Sequence, residues 1–168
     1  MNIRPATLND IPQIMQLINE IVPIMQAAGN HQWDSNYPNP RVFEADIDKN
    51  QLWLVEDADN IAGVIAITTH QSPEYADAGW DINETTIVVH RLAVSIHHQG
   101  KGIAAQMMHQ AEVVARQMGL TKVRVDTNVV NLATNKLFPK LGYVFAGEIS
   151  LAGKTGMRFN CYEKIISL

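Results

Sequence analysis

The stretch Arg91-Leu92-Ala93-Val94-Ser95-Ile96-His97-His98-Gln99-Gly100-Lys101-Gly102-Ile103-Ala104 decides the reading of this chain. It closes a β-branched run, Thr85 to Val94, that predicts a strand. It opens the clearest helical pattern, Lys101 to Met118. That helix has one apolar face (Ile103, Ala104, Met107, Met108, Ala111, Val114, Ala115 and Met118) and Gly119 as its C-cap. The Met stripe reads as core packing. A strand, a glycine-rich turn and a helix start in sequence let successive backbone N–H groups converge without Cβ obstruction. The first helical turn adds unpaired donors and the positive end of the helix dipole, which together suit a phosphate or pyrophosphate. A tight turn that needs glycines for sterics alone would use the same residues.

Outward from this segment, the pattern is regular. Upstream, Ile3 to Ala6 reads as a short strand. Thr7 is then an N-cap with Asp10 as its acidic partner. Ile11, Ile14, Met15, Ile18, Ile21, Val22 and Met25 have helical spacing, and Pro23 is expected to kink or split that helix. His31 to Pro38 is a loop that carries Trp33 and Tyr37. Asn39-Pro40 restarts a helix, with Val42, Phe43 and Ile47 inward. Gln51–Glu56 and Ile61–Thr68 form a hairpin, followed by an acidic loop over residues 70–84. Downstream come a strand at Thr121–Asp126, a helix at Asn131–Leu141, and two strands, Tyr143–Ile149 and Met157–Ile166. The order β-α-α-β-β-β-α-β-α-β-β predicts an α/β (mixed α+β) chain. Its central sheet is mostly antiparallel with one parallel pair, and helices cover both faces.

Composition bounds what such a chain does. Its 168 residues fit one domain of roughly 100–200 residues, residues 1–168. Hydrophobic residues make up 46% and charged residues 18%, which excludes a disordered chain. No apolar run approaches the roughly 18 residues of a membrane span, and the first residues lack an apolar signal core. The single cysteine, Cys161, excludes an internal disulfide and a Cys-rich metal site. The expectation is a cytoplasmic protein without a metal and without a membrane partner. The net charge of −4 argues against nucleic acid. Charge is unevenly placed: residues 1–100 hold four Lys+Arg against 13 Asp+Glu, and residues 101–168 hold nine against four.

Two anion readings overlap at the turn. Gly100 to Ala105 matches G-x-G-x-x-A, with Asp126 at the end of the next strand, as in a dinucleotide fingerprint. Against it, Ser95 to Gln99 intervene between strand and glycine, and only the residues after Asp126 remain to complete a doubly wound sheet. The second reading covers residues 3–166. Gln99-Gly100-Lys101-Gly102-Ile103-Ala104 matches Q/R-x-x-G-x-G/A, the pyrophosphate motif of the GNAT superfamily of acyl-CoA N-acyltransferases. Asn131 to Tyr143 resembles that superfamily's N-x-x-A-x-x-L-Y-x-x-x-G-F signature.

The resemblance implies a function and a site. Acetyl-CoA would lie in a V between the two parallel strands. Gln99, Gly100, Lys101, Gly102, Ile103 and Ala104 would hold the pyrophosphate, and Leu92 and Val94 the pantetheine amides. A backbone N–H near Leu92–Ala93 would stabilise the oxyanion. Asn131 matches the signature residue that contacts the cofactor arm. Lys136 and Lys140, on one helix face, would meet the CoA phosphates. The acceptor would be the amine of a small molecule or a peptide, drawn by the acidic half. Candidate bases are His90, Glu84 and Asp126, and Trp33, Asp34, Tyr37 and Trp80 are the acceptor-side candidates. The signature departs in two places: its Ala is Thr134, and its Tyr, the usual proton donor to the leaving thiolate, is Phe138. Two other classes stay open: a non-catalytic acyl-CoA-binding module and a nicotinamide-dinucleotide enzyme. The last two strands could also pair across a homodimer.

Overall fold

A computed structural model describes all residues, 1–168. Seven strands, β1 (Asn2–Pro5), β2 (Leu52–Asp57), β3 (Asn60–Thr68), β4 (Ile87–Val94), β5 (Lys122–Asn128), β6 (Val144–Ile149) and β7 (Phe159–Ile165), are ordered β1-β2-β3-β4-β5-β7-β6. Four helices accompany them: α1 (Ile11–Ala27), α2 (Pro40–Asp48), α3 (Ile103–Gln117) and α4 (Leu132–Lys140). This is the predicted element order. All the strand ladders described below are antiparallel except β4 with β5. Two compact units divide the chain: Met1–Ile67 with His90–His109, and Thr68–Val89 with Gln110–Leu168.

In the first unit, β1 runs antiparallel to β2, and β2 to β3. The apolar stripe of α1 (Ile14, Leu17, Ile18, Ile21, Val22) and Phe43 of α2 bury against Leu52, Leu54, Val64 and Ala66 of the strands. The Thr7–Asp10 cap is present: the Thr7 N–H donates to Asp10 Oδ2 at 2.7 Å, over a 3-10 turn (Leu8–Asp10) that leads into α1. Arg4 donates to Asp10 at 2.8 Å and to Glu56 at 2.6 Å, and its guanidinium holds the Asp10 carboxyl below the usual range. Asn39 caps α2, accepting from the Val42 N–H at 3.1 Å.

Three expectations need correction. Pro23 neither splits nor ends α1, which is continuous to Ala27. Proline frees the carbonyl of residue 19, and both Asn19 and Pro23 lie on the exposed face, where water accepts the loss. Residues 70–84 are not all loop, since Pro73–Ala78 form a 3-10 turn with Tyr75 buried. Helix α3 starts at Ile103 rather than Lys101, because Gly102 has φ +76°, outside the helical region. Its buried face is Ile103, Met107, Met108, Ala111 and Ala115, while Met118 lies past the helix end and is exposed.

In the second unit, β4 and β5 pair in parallel at Ile87↔Val123, Val88↔Arg124 and Val89↔Val125. Strand β7 then runs antiparallel to both β5 and β6. Tyr75, Val88, Ile149, Phe159 and Cys161 form its apolar cluster.

Close packing of α3 on β3 rests on one missing side chain. A Cβ on Gly63 would stand 2.7 Å from Met107 Cε and 2.8 Å from Ile103 Cγ2. The methionine end can swing away, but the branched isoleucine methyl cannot without moving the helix start. Gly63→Ala is therefore expected to cost about 1–3 kcal/mol, read as a lower urea midpoint with unchanged m-value.

Candidate functional site

In the first unit the chemistry gathers where β4 becomes α3. Arg91 sits in the left-handed region, φ +51°, within the strand. For a residue with a Cβ that conformation costs about 1–3 kcal/mol and needs a compensating hold. Asp46 supplies the hold. Its carboxylate accepts from Arg91 Nε and Nη2, both at 2.6 Å, and from Gln51 Nε2 at 2.9 Å. Arg91 Nη1 also donates to Tyr37 Oη at 3.2 Å. Asp46 is only 3% exposed, so this bidentate pair is shielded from water and salt.

The strand then leaves the sheet: the Ser95 N–H donates to the Ala62 carbonyl at 2.9 Å, and the Ser95 side chain accepts from the His97 N–H at 3.2 Å. His98 is buried, with Nε2 3.1 Å from Asp57 Oδ2 at the end of β2. This contact pins the turn from behind. His97 remains exposed, 3.3 Å from Glu20. Gly100 and Gly102 have φ of +77° and +76°, and nothing stands within 4 Å of where their Cβ atoms would be. They are glycine for backbone freedom, and the space over the turn is open. The helical ladder begins with Gln106 N–H donating to the Gly102 carbonyl at 3.0 Å. The N–H groups of Ile103, Ala104 and Ala105 therefore precede it, at the positive end of α3. Gln99 and Lys101 are exposed beside them. These donors, with a lysine and no nearby acid of the turn itself, fit a pyrophosphate.

In the second unit two buried polar groups organise the surroundings of β5. Tyr75 Oη donates to Asp126 Oδ2 at 2.5 Å. Burial raises the Asp126 carboxyl to about 6, and the Tyr75 hydrogen bond opposes that rise. Burial, then the neighbouring carboxylate, pushes the Tyr75 hydroxyl well above its ordinary value. Cys161, the register partner of Asp126 on β7, is pushed up to about 12 by burial and by that same charge. The buried Arg124 donates to Glu163 at 2.7 Å, Gln71 at 2.6 Å and Glu84 at 3.2 Å, and lies 4.9 Å from the Trp80 ring centre. Trp80 meets Tyr75 edge to face, at 5.1 Å between ring centres. Glu84 also takes Lys122 at 2.9 Å, so its carboxylate is committed to two cations.

Asn131 caps α4, accepting from the Thr134 N–H at 3.2 Å. Lys136 and Lys140 are exposed on that helix. Phe138 is buried between Tyr143 and Tyr162, ring centres 6.1 and 5.5 Å away. Trp33 is buried in the first unit's core. Asp34 accepts from the Asn36 and Tyr37 N–H groups at 2.7 and 3.0 Å. His90, Leu92 and Val94 are half-buried and Ala93 is buried. The first unit thus gathers His90 to Ala104 with Trp33, Asp34 and Tyr37. The second holds Glu84, Asp126, Trp80, Asn131, Lys136 and Lys140. Sequence reasoning passed over Asp46, Arg91 and Tyr75. An acid three residues after the inward Phe43 was a legible signal for Asp46. Nothing local marked Tyr75, whose partner lies 51 positions away.

The single parallel pair excludes the dinucleotide-type sheet, which is mostly parallel. No helix is long and apolar enough to cross a membrane. A solved structure of a GNAT-family acetyltransferase from Streptococcus agalactiae is similar at TM-score 0.84 and 28% identity, over 99% of this chain and 96% of that one. The yncA protein of Salmonella typhimurium, a putative acetyltransferase solved with its cofactor acetyl-CoA, shares the fold at TM-score 0.73 and 18% identity, over 100% and 95% of the two chains. By sequence, the uncharacterized N-acetyltransferase YesJ of Bacillus subtilis is 25% identical over 85% of this chain and 81% of its own. The rat N-acetyltransferase 8F1 is 26% identical over 71% of this chain, which spans about half of that protein, 49%. A sequence profile of the acetyltransferase (GNAT) family matches residues 14–143, most of the chain, and the chain belongs to that family.

Proposed function

We propose that this chain, acting as one N-acetyltransferase domain, transfers the acetyl group of acetyl-CoA to a primary amine of a small molecule or a peptide. The observation that carries the reading is the turn from Gln99 to Ala104, whose two left-handed glycines open the α3 donors to a diphosphate. The similarity to a Salmonella protein solved with acetyl-CoA supports it. Leu92 and Val94 hold the pantetheine amides through their backbones, with Lys136 and Lys140 on the outer phosphates. Bound acetyl-CoA supplies a thioester carbonyl as the electrophile.

Asp126 is the favoured base. Glu84 is committed to Arg124 and Lys122, whereas Asp126 titrates near neutral pH, where a base is most effective. His90 is the second candidate, and Trp80 and Tyr37 the acceptor-side aromatics. The amine gives a proton to the base and forms the C–N bond. The C–S bond breaks, and the departing thiolate takes its proton from solvent, since Phe138 has none to donate. A thiol of pKa near 8.5 is a fair leaving group without help. The missing hydroxyl also defines a second reading, an acyl-CoA sensor without turnover.

Acetyl-CoA at about 100 times its dissociation constant should add ~2.7 kcal/mol, a rise of several degrees in Tm, while NAD and NADPH leave Tm unchanged. Thiol release with a panel of polyamines, amino acids and short peptides then separates enzyme from sensor. A stabilised protein that releases no CoA with any of them overturns the enzymatic reading.

For the enzyme, log(kcat/KM) should rise with pH and level off above about 6 as Asp126 loses its proton. Asp126→Asn should lower kcat by about a hundredfold or more. The same group shapes stability. Its folded value lies above the ordinary 3.8, so its stabilising contribution is full below that value and is lost as pH rises through about 6. Relative to the parent, Asp126→Asn should therefore melt higher at pH 8 than it does at pH 4. An equal Tm difference at the two pH values would remove the raised carboxyl from the account.

A further inference from the structure

We propose that Asp46, Arg91 and Tyr37 form a positioning clamp that sets the direction of the backbone N–H groups at Leu92–Ala93, and through them the polarisation of the thioester carbonyl. The inference rests on the acetyl-transfer reading and adds residues outside the cofactor turn to it.

A left-handed residue inside a strand turns the peptide that follows it out of the regular ladder and aims its N–H elsewhere. Glycine adopts that conformation freely, but leaves the peptide equally free to return. Here position 91 is arginine at φ +51°, so the conformation is disfavoured by the residue itself and must be enforced from outside. The enforcement is visible. Two parallel N–H to carboxylate bonds of 2.6 Å lock the guanidinium plane to Asp46, and a third donor reaches Tyr37 Oη at 3.2 Å. A bidentate pair fixes direction as well as distance, which a lysine at this position does not reproduce. Asp46 is itself anchored from the far side by Gln51 Nε2 at 2.9 Å, and its own carbonyl accepts from the Gln51 N–H at 3.0 Å. The clamp therefore ties one peptide of β4 to the end of α2, to the start of β2 and to the His31–Pro38 loop.

A clamp of this size on a strand interior is more than stability requires. A valine in extended geometry would continue β4 without strain and without burying an ion pair, which is rarely a net gain in stability. What the arrangement adds is a single, rigid direction for the next N–H groups. Donors preorganised toward developing negative charge are worth most when they need not reorient during reaction.

The test reads the thioester carbonyl directly, so no acceptor needs to be known. Isotope-edited infrared difference spectra of labelled acetyl-CoA bound to the full chain should show its carbonyl band at lower wavenumber than in free acetyl-CoA. In Asp46→Asn and in Arg91→Gly, each saturated with acetyl-CoA, the band of the bound thioester should return most of the way to its free position. With a competent amine and saturating acetyl-CoA, kcat should fall by about tenfold to a hundredfold. If a core variant does not fold, Tyr37→Phe removes the outermost bond of the clamp and should give a smaller displacement in the same direction. A lowered band that all these variants retain overturns the clamp, as does a parent protein that binds acetyl-CoA with no displacement. A parent protein that does not bind acetyl-CoA at all overturns the acetyl-transfer reading, and the clamp with it.

Discussion

A carboxylate on α2 holds an arginine in the left-handed region in the middle of β4, and much of the first unit can be read from that constraint. Without an outside hold, residue 91 would relax toward extended geometry, since the left-handed well is costly for any side chain. Asp46 can provide the hold only if α2 is placed with its acid inward, which Phe43 ensures by burying one turn earlier on the same face. The cap at Asn39 and the proline at position 40 set where that face begins. A cap, a core phenylalanine and a buried acid thus combine to fix one peptide direction in a strand 45 positions away.

The second unit is built around charges that water does not reach. Arg124 is almost fully buried, yet each edge of its guanidinium has an acceptor: Glu163, Gln71, the Asp81 carbonyl and Glu84. Trp80 covers its face. An arginine so placed tolerates burial because its partners are hydrogen-bonded as well as opposite in charge. Two residues along the same strand, Asp126 has no cation as a direct partner and keeps a tyrosine hydroxyl instead. The contrast sets their chemistry. Glu84 spends its carboxylate on ion pairs with Arg124 and Lys122, whereas Asp126, left with Tyr75, is raised to about 6 by loss of solvation.

Glycines do two unlike jobs within the first unit. Gly63 is required for space, because Ile103 and Met107 occupy the volume a methyl group would need. Gly100 and Gly102 are required for backbone angle, with open space where a methyl group would stand. The first brings α3 against β3. The other two bend the chain so that α3 begins with its donors uncovered. Sequence patterning distinguishes the two kinds poorly, since a glycine is a glycine in either case.

The order of strands and helices, the cap at Asn39, the apolar stripes of α1 and α3 and the glycine turn were all legible in the chain itself. Each depends on neighbours within a few positions and on periodicity, and the family motif at Gln99–Ala104 lies wholly within such a window. Pro23 does not split α1, because the carbonyl it frees lies on the water-facing side, which is a property of the packed helix. Nothing near His98 in the chain marks it for burial, since its partner, Asp57, is 41 positions away. The same holds for Tyr75 with Asp126 and for Arg91 with Asp46: each side chain looks ordinary in its own segment. Sequence alone determined what the elements are and where the glycine turn between β4 and α3 lies, because short-range sterics and hydrophobic periodicity act locally. Only the tertiary structure decided which charges are buried, which are paired and which carboxyl is free to titrate, because desolvation and ion pairing depend on groups the chain brings together from far apart.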